Sequence, residues 1–188
     1  MAAYYYASAS LPMMIGPDQP VPVNSEEMLD VCRRFIADGD YGGLVASSLN
    51  PEDAEAPGIC ASYRDWERSL RNELVIQRAA EQNLSSEEYI RASESISGTS
   101  AIASEAMSKS SPLEAELYLD SCRWLKIEEL STGHFFDIEF LRAYRMKLQI
   151  LERRAKFDEE RGFSAYRDLY ARVLTASGTD IPDGGDNG

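Results

Sequence analysis

Few side chains in this sequence have the type and spacing that catalysis or metal binding requires. His134 is the only histidine. It follows Gly133 at a predicted helix start, where an imidazole can act as a general base if a nucleophile is paired with it. No such arrangement is recognisable in the neighbouring sequence. The alternative is a local role, in which His134 caps the turn before a long helix and forms hydrogen bonds nearby.

Carboxylates and thiols are present, but not in the spacings of a site. Adjacent residues on a helix point about 100° apart, so neighbouring glutamates do not form an acid–base pair and are predicted to be solvated. The Glu-x-x-His motif of di-metal bundles is absent. The three cysteines are widely spaced and form no C-x-x-C, which favours reduced core residues and a cytoplasmic protein. The residues concerned are Glu26/Glu27, Glu87/Glu88, Glu128/Glu129, Glu159/Glu160, Cys32, Cys60 and Cys122.

Glycine-rich phosphate-binding motifs are also absent, since neither G-x-x-x-x-G-K-[ST] nor G-x-G-x-x-G occurs. Gly39, Gly42 and Gly43 are interpreted as turn residues that end a helix. We therefore expect no catalytic residue, no metal and no cofactor. A small α-helical enzyme of unknown chemistry remains an alternative, which would require a clustered polar pocket containing His134.

The charge distribution points to protein partners. The formal net charge of −13 repels phosphate backbones, so nucleic-acid binding is not expected. Residues 142–156 nevertheless contain six basic side chains and one acid, Glu152. They either pair inside the fold with acids such as Glu114, Glu116, Glu128 and Glu129, or form a basic patch for an acidic partner. The partner-binding hypothesis names Arg142, Arg145, Arg153 and Arg154.

The second candidate contact is the run Tyr4, Tyr5 and Tyr6. It is either an exposed aromatic anchor or the edge of a core. Its composition favours a short strand or extended segment, with a helical start as the alternative. The apolar run at 11–15 is too short to cross a bilayer, and no better stretch occurs, so no membrane span is expected.

Local signals predict a mainly α fold, a multi-helix bundle that ends in a long antiparallel helical hairpin. Asn24 and Glu27 form a capping box, and Ser111, Pro112 and Glu114 form the strongest helix start. Residues 61–82 show helical periodicity, 85–88 resemble a helix start, and 92–111 are read as two short helices or a partly mobile segment. After a break at 131–134, a long helix is expected to reach about Arg161.

The predicted core lies mainly on that long helix. Its apolar stripe contains Phe140, Leu141, Tyr144, Leu148, Leu151 and Ala155, with Trp66 and Trp124 packed between helices. A last amphipathic helix is predicted over 163–174. We expect one domain over 1–176 and a disordered acidic tail over 177–188.

Four segments also carry a family resemblance: Tyr-Tyr-Tyr-x-x-x-Ser-Leu-Pro at 4–12, Ser-Pro-Leu-Glu-Ala-Glu-Leu-Tyr at 111–118, Gly-His-Phe-Phe-Asp-Ile-Glu at 133–139 and Lys-Leu-Gln-Ile-Leu-Glu-Arg-Arg at 147–154. Over residues 4–175 the chain resembles a bacterial family of unassigned biochemistry, encoded beside subunits of V-type (archaeal-type) rotary ATPases.

The resemblance implies a stand-in for the helical central-stalk subunit called C or d, which joins the rotor shaft to the proteolipid ring. It implies V/A-type ATPase subunits as partners, and a cytoplasmic location at the inner membrane through that complex. This chain is much shorter than a complete three-lobed funnel, so an assembly or regulatory adaptor of the same ATPase is the alternative role.

Overall fold

The computed structural model describes residues 2–50 and 57–157, and all regular secondary structure in these residues is α-helical. The prediction of a mainly α bundle is therefore confirmed. The chain divides into two compact units, Met1–Arg154 and Ala155–Gly188, and only 155–157 of the second are described. The predicted helix over 163–174 and the predicted tail lie outside the described residues. The helices are α1 (Ala2–Ala9), α2 (Ser25–Arg33), α3 (Asp38–Val45), α4 (Ile59–Glu81), α5 (Thr99–Met107), α6 (Pro112–Leu130) and α7 (Ile138–Arg154).

The helices with strong local start signals begin where the sequence predicts. The side chain of Asn24 accepts a hydrogen bond of 2.9 Å from the backbone N–H of Glu27 at the start of α2. Ser111 Oγ accepts one of 3.2 Å from the backbone N–H of Glu114 at the start of α6. Each bond satisfies an N–H group that has no partner within its own helix.

Helix α7 is the central element of the unit Met1–Arg154. It contributes Met146 and Ile150 to an apolar cluster with α4, α5 and α6, and Leu141 and Leu148 to a second cluster with α1, α2 and α3. Its consecutive residues 141–144 are all buried. A helix that is covered on several sides has no free face along most of its length.

The predicted core is largely confirmed. Trp66, Trp124, Tyr144, Leu148 and Leu151 are buried. Two members of the predicted stripe differ: Phe140 is half-buried and Ala155 is exposed. Ala155 follows the end of α7 at Arg154, so the prediction that this helix continues to about Arg161 is wrong.

The start of α7 also differs from the prediction. Asp137 Oδ1 accepts a hydrogen bond of 2.9 Å from the backbone N–H of Phe140, so Asp137 caps the helix and residues 131–137 form the connection from α6. The hairpin itself is present, since Lys147 Nζ lies 3.2 Å from Glu128 Oε1 across it. None of the described helices is both long and apolar enough to span a bilayer.

The tyrosine run forms helix α1, so the favoured strand or extended segment is wrong and the alternative, a helical start, is confirmed. Ala7, one turn after Tyr4, is completely buried in the cluster that contains Leu141 and Leu148. Small side chains allow α1 to pack closely on α7, and this tertiary packing outweighs the β propensity of three tyrosines.

The three glycines interpreted as helix-ending residues lie inside α3, so that interpretation is also wrong. A Cβ at Gly43 would lie 2.9 Å from an Arg142 guanidinium nitrogen. Glycine here makes room for that side chain, although it stabilises a helix interior by about 0.5–1 kcal/mol less than alanine. Burial of Leu44 helps to hold the helix in place.

The helix predicted from residue 85 is absent. Residues 85–98 contain only turns and bends, and Tyr89 within them is exposed. The segment 92–111 contains one helix, α5, rather than two. Its Thr99, Ala103 and Ala106 are buried, and Thr99 Oγ1 lies 3.0 Å from Ser69 Oγ of α4. Small side chains therefore permit the close approach of α5 to α4.

Candidate protein-docking surface

Two of the four arginines proposed to bind a partner point into the fold. Arg142 is 6% exposed, and its Nη1 donates hydrogen bonds to Glu139 Oε1 at 2.6 Å and to the carbonyl of Pro57 at 3.2 Å. Arg145 Nε donates a 3.0 Å bond to the carbonyl of Ser47. Both guanidinium groups donate to backbone carbonyls in the chain segments that follow α3 and precede α4.

Other polar residues of α7 bind the same stretch of backbone. Gln149 accepts a 3.0 Å bond from the N–H of Leu49 and donates a 2.9 Å bond to the carbonyl of Ser47. Glu139 Oε2 accepts a 2.9 Å bond from the N–H of Ile59, the first residue of α4. We call Glu139, Arg142, Arg145 and Gln149 the backbone clamp.

The clamp requires a glycine at residue 58. Gly58 has a φ of +70°, a conformation that L side chains rarely adopt, and a Cβ there would overlap the Glu139 carboxylate. A carboxylate at the N-terminus of α4 is also favoured by the helix dipole. The residue type at position 58 is therefore fixed by both the backbone conformation and the clamp.

Arg153 joins a buried ion network. Arg123 donates two 3.0 Å bonds to the carboxylate of Glu67 and one of 3.1 Å to Asp120, and both acids are completely buried. Arg153 binds Asp120 from α7 and lies 3.9 Å from Glu116. Burial lowers the pKa of Arg123, but the adjacent Glu67 carboxylate outweighs this effect and holds that pKa above its usual value. The network links α4, α6 and α7 through paired charges.

The basic run of α7 thus has acidic and carbonyl partners within the fold. Arg154 completes it with a 2.8 Å bond to Asp18. Glu116 and Glu128, two of the predicted internal partners, contact Arg153 and Lys147. The structure supports the internal-pairing alternative for these side chains, and a role for Arg142, Arg145, Arg153 and Arg154 toward a partner stays a prediction.

The three tyrosines of α1 have two different environments. Tyr4 is half-buried, its hydroxyl donates to the Asp40 carboxylate, and burial together with this bond raises its pKa to about 12. Tyr5 and Tyr6 are 51% and 58% exposed. Residues one and two positions after Tyr4 are rotated by about 100° and 200° around the helix, which turns them away from the core. Tyr4 therefore closes the core edge, and Tyr5 and Tyr6 are the exposed aromatic residues.

The exposed tyrosines are part of a larger group of rings. The Tyr5 ring centroid lies 5.0 Å from that of Phe136, and the Tyr6 centroid lies 6.1 Å from that of Phe35. Phe136 is 51% exposed. We call Tyr5, Tyr6, Phe35 and Phe136 the aromatic cluster. Neither Phe35 nor Phe136 was among the residues predicted to bind a partner. The sequence does contain one signal for Phe136, because two adjacent aromatic residues, Phe135 and Phe136, are unusual in a connection between helices.

His134 has the local role described as the alternative to catalysis. Its Nδ1 lies 2.6 Å from Asp137 Oδ2, while the other oxygen of Asp137 caps α7. Burial raises the pKa of Asp137, but the hydrogen bonds from His134 and the backbone outweigh it, so this pKa lies below its ordinary value of 3.8. This pair organises the start of α7.

The cysteines are free thiols. Cys32 and Cys60 are buried, Cys122 is half-buried, and burial raises the pKa of Cys32 to about 11. These thiols are therefore protonated near neutral pH, as expected of core residues.

In the described part of the chain, no group of histidine, cysteine, aspartate and glutamate side chains is arranged to hold a metal ion.

Part of the chain is similar to a known protein family. Residues 92–176 are similar to a family described as "Protein of unknown function (DUF2764)". The matching segment includes α5, α6 and α7, whereas the tyrosines of the aromatic cluster precede it. No curated protein and no solved structure matches the chain. The likeness is therefore to a family without an assigned biochemical function.

Proposed function

We propose that this protein is a non-catalytic structural or coupling component of a V/A-type rotary ATPase, a central-stalk-like part that links the rotor shaft and the membrane ring. The observation that carries the proposal is the aromatic cluster, in which Tyr5, Tyr6 and Phe136 are more than half exposed. The resemblance of the N- and C-terminal motifs to a family encoded beside such ATPases supplies the identity of the partner complex.

The aromatic cluster has the chemistry of an interface core. Protein interfaces are enriched in aromatic residues and depleted of charged residues at their centre. Charged residues make up 27% of the chain, yet none occurs among residues 1–17, which include α1. Contiguous exposed apolar groups of this kind mark binding surfaces, because water solvates them poorly. A partner that covers the cluster removes this unfavourable exposure.

The remainder of the unit has the properties that a coupling part requires. The backbone clamp and the ion network join α7 to the ends of α3 and α4 and to α6 through directional bonds. Buried charge pairs hold one arrangement of helices, because any other arrangement leaves charges without partners. A rigid body with an exposed aromatic end suits the transmission of force between two partners. Within this proposal the protein is cytoplasmic and reaches the inner membrane through the ATPase.

Affinity purification from the native organism tests the proposal. A tagged wild-type chain is expected to retain V/A-type ATPase subunits in stoichiometric amounts within the active enzyme, and the variant Tyr5→Ala/Tyr6→Ala is expected to lose them. Tyr89→Ala is the matched control, since Tyr89 is 66% exposed and lies outside the aromatic cluster. Absence of ATPase subunits from the wild-type preparation contradicts the proposal. Presence only in partly assembled, inactive complexes favours the adaptor role instead.

A further inference from the structure

An apolar groove lies between α7 and the segment that follows α1. Its floor is formed by Phe140, Ala143 and Tyr144 of α7, and its walls include Leu11 and Met14. The cavity has a volume of about 320 Å³. The Tyr144 hydroxyl donates a 2.9 Å hydrogen bond to the carbonyl of Pro12, which fixes the wall against the floor.

Two polar groups in the groove have unused hydrogen-bonding capacity. Ser8 is 8% exposed, and its Oγ has no hydrogen-bond partner among the described residues. An unpaired buried hydroxyl destabilises a fold by about 1–3 kcal/mol, and a polar group supplied by a bound partner would remove this cost. Lys147 provides three N–H donors, of which one contacts Glu128 at 3.2 Å, while the ammonium group lies 5.0 Å from the Trp124 ring centroid. Among the described residues that line the groove, Lys147 is the only charged one.

Exposed apolar side chains extend from the groove. Met13 lines it and is 82% exposed, and Ile15, two residues later, is 81% exposed. On α1, Tyr5 is less than one turn before Ser8, and Phe136 lies in the connection before α7, four residues before Phe140. Because Tyr5 contacts Phe136 while Ser8 and Phe140 line the groove, the aromatic cluster adjoins it.

We propose that this groove binds an amphipathic helix of an ATPase subunit, an inference that rests on the function proposed above. Apolar side chains of the helix fill the space over Ala143, and a polar group meets Ser8 Oγ. A carboxylate of the helix contacts Lys147. Amphipathic helices bind grooves of this kind through a row of apolar side chains. The cationic group in the groove of a chain with a net charge of −13 selects an acidic residue on that helix.

A polypeptide fits the surface better than a small molecule does. The volume of about 320 Å³ is at the lower end of ligand pockets, which span about 300–1,000 Å³. A ligand confined to it would leave Met13, Ile15 and the aromatic cluster in water. A helix that continues past the groove covers these side chains as well.

Binding of variants of the full-length chain tests the inference. The probe is V/A-type ATPase purified from the native organism after deletion of this chain. Met13→Glu/Ile15→Glu is expected to weaken binding at least tenfold, because both side chains point into solvent in the free protein and a charge there opposes an apolar partner. Leu84→Glu is the matched control, since Leu84 is 62% exposed and does not line the groove. Its binding is expected to equal that of the wild type.

Ser8→Ala provides a second test with two readouts. Removal of an unpaired buried hydroxyl is expected to raise the melting temperature of the isolated chain and to weaken ATPase binding several-fold.

Lys147→Gln is expected to weaken ATPase binding and to reduce the dependence of that binding on salt concentration.

Three outcomes overturn the inference. If the wild type binds and the Met13→Glu/Ile15→Glu variant binds equally well, the groove is not the contact while the proposed function stands. If native mass spectrometry of the purified wild type shows a bound small molecule that Ala143→Leu displaces, the groove is a ligand pocket. If the wild type does not bind the enzyme, both proposals fail together.

Discussion

The middle of α7 and the surface beside its start distribute polar and apolar groups in opposite ways. At the middle, charged side chains such as Arg142 lie inside the fold, where carbonyls and carboxylates surround them. Beside its start, the rings of Tyr5 and Phe136 lie largely in solvent. Both arrangements reverse the usual preference of charges for water and of aromatic rings for the core. The buried charges have internal partners, whereas the exposed rings are the basis on which we propose an external partner.

Loss of Arg123 should have the largest effect on this contrast. Arg123→Ala leaves the buried Glu67 and Asp120 without their main cation, and we expect the free energy of unfolding to fall by about 3–5 kcal/mol. Denaturant unfolding followed by circular dichroism measures the change. Lys109→Ala is the control, because the Lys109–Glu105 pair is partly exposed and should contribute only about 0–1 kcal/mol. Equal effects of the two variants would show that the buried network is not stabilised by its pairing.

Gly58→Ala should break the backbone clamp with a smaller effect. The φ of +70° and the overlap with Glu139 together should lower the free energy of unfolding by about 1–3 kcal/mol. Gly16→Ala is the matched control, since a Cβ at Gly16 meets no atom within 4 Å and its φ is not positive, and it should change stability by less than about 0.5 kcal/mol. A Gly58→Ala protein as stable as the wild type would mean that Glu139 does not hold the start of α4 as described.

Removal of both exposed tyrosines should destabilise the isolated chain only modestly. Tyr5→Ala/Tyr6→Ala loses three ring contacts at the surface, Tyr5–Tyr6, Tyr5–Phe136 and Tyr6–Phe35, so we expect the free energy of unfolding to fall by about 1–2 kcal/mol in total. The same variant is predicted to lose binding to the ATPase, so the effect on binding can be distinguished from the effect on folding stability. Thermal unfolding in parallel with the affinity purification checks this. A loss of stability as large as that of Arg123→Ala would place the tyrosines in the core and remove the main argument for docking.

The smallest expected effect concerns acid pH. Because the pKa of Asp137 in the folded chain lies below its unfolded value of 3.8, its contribution to stability is complete above pH 3.8 and is lost as the pH falls through the lower, folded pKa. Asp137→Asn keeps a capping side chain and removes this titration, so the difference in stability between wild type and variant should shrink in that pH range. The side chain is 44% exposed, and the effect at neutral pH should stay below about 1 kcal/mol. A difference that does not change with pH would assign the stabilisation to the cap alone.

Local signals in the sequence predict the elements whose cause is local. The starts of α2 and α6 follow from Asn24 and Ser111, because a capping side chain binds N–H groups only two or three residues away. The core positions Tyr144 and Leu148 follow from helical periodicity. The fold class could therefore be derived without a structure.

The elements that the sequence analysis missed depend on distant residues. Within α3, Gly43 leaves room for the side chain of Arg142, and the direction of Arg153 depends on Asp120 of a different helix. The sequence shows which residues are charged, but it does not show which residues they contact in the folded chain. For the same reason it could not show that Tyr4 faces inward while Tyr5 and Tyr6 face outward, since that requires the position of α7 beside α1.

The backbone clamp has a practical consequence for protein engineering. Its bonds fix Ser47 and Leu49 on one side of residues 51–56, and Pro57 and Ile59 on the other, to a single helix. The clamp residues span Glu139 to Gln149, roughly 15 Å along the axis at about 1.5 Å per residue. Engineered variants should therefore keep Glu139, Arg142, Arg145 and Gln149 unchanged. A label that marks the protein inside its complex is better attached at an exposed residue such as Leu84, which lies outside the aromatic cluster and the groove.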